Sequence, residues 1–186
     1  IFKKKHIFEI HDDLEVSGKK LSFIFKIFNL LNSKSILKLV FITHALKKYI
    51  SKKYKYTNNN FEVLPDATDI KVEKNFKIKK IIKKKIGYFG SIYHSRGIPL
   101  IIKLSKIDKN NDYFIYGGSK HDVKKINIHK SENLKINSQI SYKEVKKLIK
   151  KMDILLMPYT KKATFSGDHG NIINFMSPMK MFDYLG

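Results

Sequence analysis

Ile86-Gly87-Tyr88-Phe89-Gly90-Ser91-Ile92-Tyr93-His94-Ser95-Arg96-Gly97 is the stretch whose reading decides the fold. Lys85 to Phe89 has the apolar character of a strand, Gly90-Ser91 that of a turn at its carboxyl end, and Gly97 to Ile107 that of a helix. A strand, a glycine turn and a helix in this order form the phosphate-holding corner of α/β proteins, because backbone N–H groups there face outward at a helix start. Arg96 is the single arginine of a chain whose other strong cations are all lysine. A guanidinium at this one position suits bidentate contact with phosphate oxygens, which the point charge of lysine serves less well.

Outward from this stretch the alternation continues. Tyr113 to Tyr116 reads as a strand followed by Gly117-Gly118, Lys120 to Ile126 as a short helix, and Asn133 to Ile136 as a strand. Tyr142 to Lys151 is a helix opened by Ser141 with Glu144 three residues on, the pattern of a capping box. Asp153 to Met157 is a strand closed by Pro158, Thr160 to Phe175 a polar loop, and Ser177-Pro178 the expected N-cap and first residue of a last helix. Toward the N-terminus, His6 to Ile10 and Leu37 to Thr43 read as strands, His44 to Tyr54 as a helix with Leu46, Tyr49, Ile50 and Tyr54 on one face, and Phe61 to Leu64 as a short strand. Leu21 to Leu31 is the most apolar stretch; the expectation is a core helix, with an interfacial helix as the alternative. Strands alternating with helices at this spacing predict an α/β protein with a doubly wound parallel sheet.

The 186 residues carry a formal net charge of +22, with 42% apolar residues, enough for a true core. Such a balance raises a polyanionic partner, but the lysines are spread along the chain and form no arginine-rich groove reader, so a specific nucleic-acid partner is not expected. An anionic membrane surface fits better, since lysines beside apolar residues each add about 1 kcal/mol near anionic lipid. There is no cysteine, hence no disulfide framework and no thiolate metal site. No apolar run reaches the ~18 residues of a spanning helix. The chain starts without Met and stops within a helical pattern, so the expectation is a piece of a longer protein.

Three groups of residues carry chemistry. Gly87, Gly90, Ser91, Arg96 and Gly97 form the first, although glycine at a strand end is also common for packing reasons alone. The second is Ser177-Pro178-Met179-Lys180-Met181-Phe182-Asp183: a helix start with free N–H groups, a cation in its first turn, and a carboxylate two turns in that could accept both hydroxyls of a ribose. The alternative there is an ordinary amphipathic helix with Met179, Phe182 and Leu185 inward. The third is Glu9-Ile10-His11-Asp12-Asp13, in which a histidine beside carboxylates suits a base or a substrate contact. Strand ends in such sheets gather ligands, which adds Gly117, Pro158 and Tyr159 to the candidates.

Taken in order, Phe8-Glu-Ile-His-Asp12, Val40-Phe-Ile-Thr-His-Ala-Leu46, Val63-Leu-Pro-Asp-Ala-Thr-Asp69, the stretch quoted first, Phe114-Ile-Tyr-Gly-Gly118, Met152-Asp-Ile-Leu-Leu-Met-Pro-Tyr159 and Ser177 to Leu185 resemble the nucleotide-sugar glycosyltransferases with two Rossmann-like domains, the group 1 or family 4 enzymes of GT-B type. The resemblance implies residues 1–68 as part of an acceptor-side domain, 69–84 as a linker and 85–186 as the donor-binding domain. It implies a retaining, metal-independent transfer from a nucleoside-diphosphate sugar with no further cofactor, to a glycan or lipid-linked acceptor in surface polysaccharide synthesis, in the cytoplasm and peripherally on the inner face of the membrane. Arg96 matches the basic residue that meets the donor pyrophosphate, with Gly90, Ser91 and Lys180 beside it; Asp183 stands where a ribose-binding Glu is usual; Phe175 stands where a second Glu is frequent; His11 lies near the acceptor-side histidine. Two other readings stay open: a sugar-nucleotide epimerase of the same architecture, and a basic nucleic-acid or membrane-binding module.

Overall fold

The computed structural model describes residues 4–16, 18–70, 82–127, 131–161 and 171–185. Most of the expected linker, 71–81, lies outside them, as does much of the loop after Thr160. The described chain forms two compact units, residues 4–66 with 171–178, and 67–161 with 179–185.

The first unit holds a three-stranded parallel sheet in the order β1-β2-β3, made of β1 (His6–Ile10), β2 (Ile36–Phe41) and β3 (Phe61–Val63). The inner strand β2 buries Leu39, Val40 and Phe41 in succession, as a strand covered on both faces must. Helix α2 (His44–Tyr54) starts at Thr43, whose hydroxyl accepts from the Leu46 N–H, and it buries Leu46, Ile50 and Tyr54. Tyr49 is left at the edge of that face. The buried Asp13 ties the loop after β1 to this helix: its carboxylate accepts from the hydroxyls of Tyr49 (2.7 Å) and Tyr54 (2.7 Å) and pairs with Lys53. Burial pushes the Asp13 pKa up, but these three donors outweigh it and hold the group below its usual range.

Helix α1 (Lys19–Ile27) departs from the expectation of a core helix. Its one buried residue is Ser22, whose hydroxyl hydrogen-bonds that of Tyr54 at 2.8 Å. Leu21, Phe23, Ile24, Ile27 and, just past the helix, Phe28 are exposed, Phe23 at 63% and Phe28 at 64%. The helix is anchored by a polar hydroxyl and by Phe25, which stacks on Phe8 at 5.7 Å, so its apolar face points outward within this unit. Residues 171–178 group with the first unit although the sequence reading assigned them to the second. The physical reason is Phe175: its ring is buried and stacks on Tyr49 at 4.8 Å, and its carbonyl accepts from the Thr43 hydroxyl at 2.8 Å.

The second unit holds a four-stranded parallel sheet in the order β6-β5-β4-β7, from β4 (Lys85–Phe89), β5 (Asp112–Tyr116), β6 (Leu134–Asn137) and β7 (Ile154–Leu155). Helices α3 (Ile98–Ile107), α4 (Lys120–Asn127) and α5 (Tyr142–Ile149) connect them, and α6 (Met179–Leu185) closes the chain. Ile86, Tyr88, Ile98, Ile101, Tyr113, Ile115 and Leu134 make the core. The capping box of Ser141 and Glu144 is formed. The strand order grows outward from β4 to β6, then returns to the other side of β4 with β7. This doubly wound arrangement opens a crevice at the carboxyl ends of β4 and β7, where the direction of winding reverses.

The ends of β4 and β5 meet without side chains. The Gly90 N–H donates to the Tyr116 carbonyl at 2.9 Å, and a Cβ on Gly117 would lie 1.8 Å from the Gly90 carbonyl oxygen. No rotamer change relieves a clash between two backbones. Gly117→Ala is therefore expected to destabilise the protein by about 3 kcal/mol or more, read as a lowered urea midpoint; an unchanged midpoint would show that the two strand ends do not meet in this way.

Candidate functional site

The crevice at β4 and β7 gathers the cations of the second unit that matter. Gly90, at the end of β4, has φ 140°, a conformation that L side chains rarely adopt. The aliphatic end of Lys180 lies across it: a Cβ on Gly90 would sit 2.3 Å from Lys180 Cε. Lys180 Nζ stands 5.5 Å from the ring centroid of Tyr88 and 5.8 Å from that of Tyr159. Arg96 lies on the same Tyr159 ring, Cζ 5.8 Å from its centroid. Tyr159, with Pro158 before it packed on the Gly97 backbone, thus places two cations beside each other over aromatic faces. Burial, and then the charge of Arg96, pull the Lys180 pKa from 10.5 down to about 8. No carboxylate relieves it among the described residues. A desolvated lysine next to an arginine is a site of stored positive potential.

Beside this pair lies a cavity of about 450 Å³ lined by Gly90, Ser91, Gly117, Ser119, Asp122 and Tyr142 among others. Its floor is the glycine contact between the ends of β4 and β5. The Tyr88 hydroxyl donates to the Ser91 carbonyl at 2.7 Å and fixes the loop after β4. The cavity is large enough for a nucleoside, and its lining mixes polar groups (Ser91, Ser119, Asp122, Gln139, Tyr142) with apolar ones (Ile92, Ile140, Val145).

Helix α6 brings two more groups. The Tyr184 hydroxyl accepts from the Phe89 N–H at 3.1 Å, which seats the helix on the end of β4. Asp183 accepts from the Thr68 hydroxyl and from the Tyr142 hydroxyl, each at 2.8 Å. Met179 and Leu185 are exposed at 60% and 70%, so the helix is not the amphipathic core helix that the alternative reading described. It also begins at Met179, one residue later than expected. Ser177 and Pro178 precede it but group with the first unit, to which Phe175 holds the chain.

Of the residues singled out in the sequence, the second unit therefore brings Gly90, Ser91, Arg96, Gly117, Pro158, Tyr159, Lys180 and Asp183 to one end of one sheet. Ser177, Pro178 and His11 belong to the first unit. His11 follows β1, is exposed, and lies 3.2 Å from Glu9. Phe175 is a packed aromatic residue. Sequence reasoning missed Tyr88, Tyr142, Tyr184 and Thr68. Tyr184, next to Asp183, was open to inspection; the pairing of Thr68 and Tyr142 with Asp183 spans 115 and 41 residues of chain and leaves no local trace. Among the described residues no group of three or more His, Asp or Glu is arranged to hold a metal ion.

No family model matches the sequence, and no curated protein does. Solved structures do share its fold. The chain superposes on TarM with a TM-score of 0.54 at 18% identity, over 81% of this chain and 31% of TarM. It superposes on Anabaena Alr3699/HepE, solved in complex with UDP and glucose, with a TM-score of 0.62 at 13% identity, over 88% of this chain and 48% of that one. The chain thus spans 31% and 48% of the length of these two proteins. The likeness is one of fold: α/β, parallel-stranded and Rossmann-like, of the GT-B type expected from the sequence.

The site carries a stability signature of its own. The pKa of Lys180 in the fold, about 8, lies below its value of 10.5 in the open chain, so between these values the unfolded state binds more protons and stability rises with pH. Lys180→Met is expected to be more stable than the parent by about 1–2 kcal/mol at pH 7, as is common where function keeps a strained charge. The gap should close as pH climbs from 8 toward 10. Parallel stability curves for the two proteins in chemical denaturation would show that Lys180 carries no such cost.

Proposed function

We propose that this chain carries donor-binding and acceptor-side units of a glycosyltransferase, which moves a hexosyl group from a nucleoside-diphosphate sugar to a glycan or lipid-linked acceptor. The observation that carries the reading is the Arg96–Lys180 pair on Tyr159, at the reversal of a doubly wound sheet and beside a glycine-floored cavity of nucleoside size. The UDP and glucose bound to Anabaena HepE, a protein of the same fold, support a nucleoside-diphosphate sugar as the donor. In this reading residues 85–186 carry the donor site and 1–68 the acceptor side, with His11 as an acceptor contact and with Ser177 and Pro178 leading into the donor-binding helix.

The chemistry follows from the charges. When the bond from the anomeric carbon to the β-phosphate oxygen breaks, negative charge grows on the departing diphosphate. Arg96 contributes a planar guanidinium suited to paired phosphate contacts and Lys180 a compact, desolvated charge, so little reorganisation is needed as that charge develops. Cations fixed by the protein in this way suit a metal-independent transfer, and the resemblance in sequence supports retention at the anomeric carbon. The aromatic rings of Tyr88 and Tyr159 shield the pair from water, which would otherwise compete with the acceptor. Gly90 and Ser91 provide the close backbone approach, and Asp183 the ribose contact. No step calls on a separate cofactor.

The exposed apolar face of α1 supports a lipid-linked acceptor and a place on the inner, anionic face of the cell membrane. Leu21, Phe23, Ile24, Ile27 and Phe28 stand out among Lys19, Lys20 and Lys26, the composition of a helix that lies in a lipid interface. It also fits a role in surface polysaccharide synthesis.

Two experiments test these readings. Arg96→Ala should weaken binding of UDP, measured by calorimetry, by about 1.5–3 kcal/mol, the scale of charge-assisted hydrogen bonds; an unaltered affinity removes Arg96 from the site. In vesicle sedimentation the chain should bind phosphatidylglycerol membranes and release them as salt rises, and the double variant Phe23→Ser/Ile27→Ser should bind at least tenfold more weakly. Equal binding by parent and variant would take α1 out of the membrane contact.

A further inference from the structure

Asp183 is held in an unusual way. The hydroxyls of Thr68 and Tyr142 both donate to the same oxygen, Oδ1, each at 2.8 Å. Among the described residues no donor sits on Oδ2, and no lysine or arginine pairs with the group. Asp183 is half-buried and has no cation partner among the described residues, in a chain with a net charge of +22. A carboxylate has about four acceptor positions; two neutral donors fill one oxygen and leave the other, with its charge uncancelled, to an incoming group.

Both donors are themselves fixed. The Thr68 oxygen accepts from the Ile70 N–H at 3.1 Å, so its own proton is left to point at Asp183. Tyr142 is the first residue of α5, seated by the capping box of Ser141 and Glu144. Its ring lies under Lys146, Nζ 4.6 Å from the centroid, and Lys146 is paired with Asp69. Burial, and then the Asp183 carboxylate, push the Tyr142 phenol above its usual range, so it remains a donor at any physiological pH. Tyr142 also lines the 450 Å³ cavity. Its hydroxyl thus links the wall of the cavity to the free carboxylate.

We propose that Tyr142 and Thr68 are positioning residues that clamp Asp183 by Oδ1 so that Oδ2 faces the vicinal diol of a ribonucleoside in the cavity, which makes this pair the determinant of ribose over deoxyribose. The proposal rests on the nucleoside-diphosphate reading above. A short carboxylate swinging freely would spend part of its hydrogen-bond energy on losing that freedom. Two donors on one oxygen remove the freedom beforehand, and the discrimination becomes steep because an analogue without the hydroxyl leaves a charged acceptor unmatched.

The test is binding by calorimetry of UDP, ADP and GDP and of their 2′-deoxy and 3′-deoxy forms, to the full chain and its variants. For the diphosphate that binds most tightly, the parent should prefer the ribose form over at least one deoxy form by roughly ten- to a hundredfold. Asp183→Asn should reduce this ratio to near one. Tyr142→Phe/Thr68→Val should cut it at least fivefold by weakening the ribose form more than the deoxy form, a split that general loosening of the site would not give. Thr68→Ser, which keeps the hydroxyl, should retain most of the ratio. If Asp183→Asn loses the preference and Tyr142→Phe/Thr68→Val keeps it whole, the clamp is refuted while the nucleotide reading stands. If Asp183→Asn also keeps it, Asp183 is not the ribose contact; if none of the three diphosphates binds the parent, both proposals fall.

Discussion

The backbone of Gly117 lies against the carbonyl of Gly90, and the rest of the second unit is arranged around that contact. Two parallel strands whose ends touch without side chains bring their final backbone groups close together, Gly90 N–H on the Tyr116 carbonyl and Gly117 against the Gly90 carbonyl. The space that side chains would have taken becomes the floor of the cavity. Gly90 then takes a φ that other residues avoid, and the aliphatic stem of Lys180 lies across it. A lysine can snorkel in this way only where its stem finds apolar or bare backbone surface and its charge finds something better than hydrocarbon. Here it finds the faces of Tyr88 and Tyr159.

The electrostatics follow from that geometry. Arg96 and Lys180 repel each other, and burial makes the repulsion worse, yet the sheet holds them together because Tyr159, the loop after β4 and the seat of α6 on Phe89 are each fixed by separate bonds. The structure stores positive potential at the point where the winding of the sheet reverses. The opposite sign is handled with equal economy: Asp183 lies on the same short helix as Lys180 but is turned to Thr68 and Tyr142, so the cation and the carboxylate of α6 are held by different partners. Lys53 and Asp13, in the first unit, show the other outcome. There the two charges meet, Lys53 also reaches Glu15, and the result is a loop fastened to a helix.

Much of this was legible in the sequence. The strand before Gly90, the helix after Gly97, the capping box at Ser141 and the helix from His44 to Tyr54 follow from local pattern, because periodicity and caps act within a few residues. Arg96 stood out as the single arginine from composition alone, but its neighbours Tyr159 and Lys180 did not. The character of α1 was not: an apolar run of that length reads as core, and only the partners present decide whether such a run is covered. In this unit Ser22 and Phe25 hold the helix, and Phe23 and Phe28 face out. The assignment of residues 171–178 was likewise hidden, since it depends on Phe175 finding Tyr49 across more than a hundred residues of chain.

The sequence by itself determined the alternation of strands and helices, the positions of the strand ends and the types of residue placed there, because these rest on the geometry of the local backbone and on the period of apolar side chains. Only the tertiary structure decided which of those residues meet. The order of strands β6-β5-β4-β7 brings Tyr159 to Arg96, α6 brings Lys180 to the same ring, and the segment after Asp66 brings Thr68 to Asp183. The pKa of a lysine, the orientation of a carboxylate and the volume of a cavity are set by desolvation and by partners distant in the chain, and no window of sequence contains both members of such a pair.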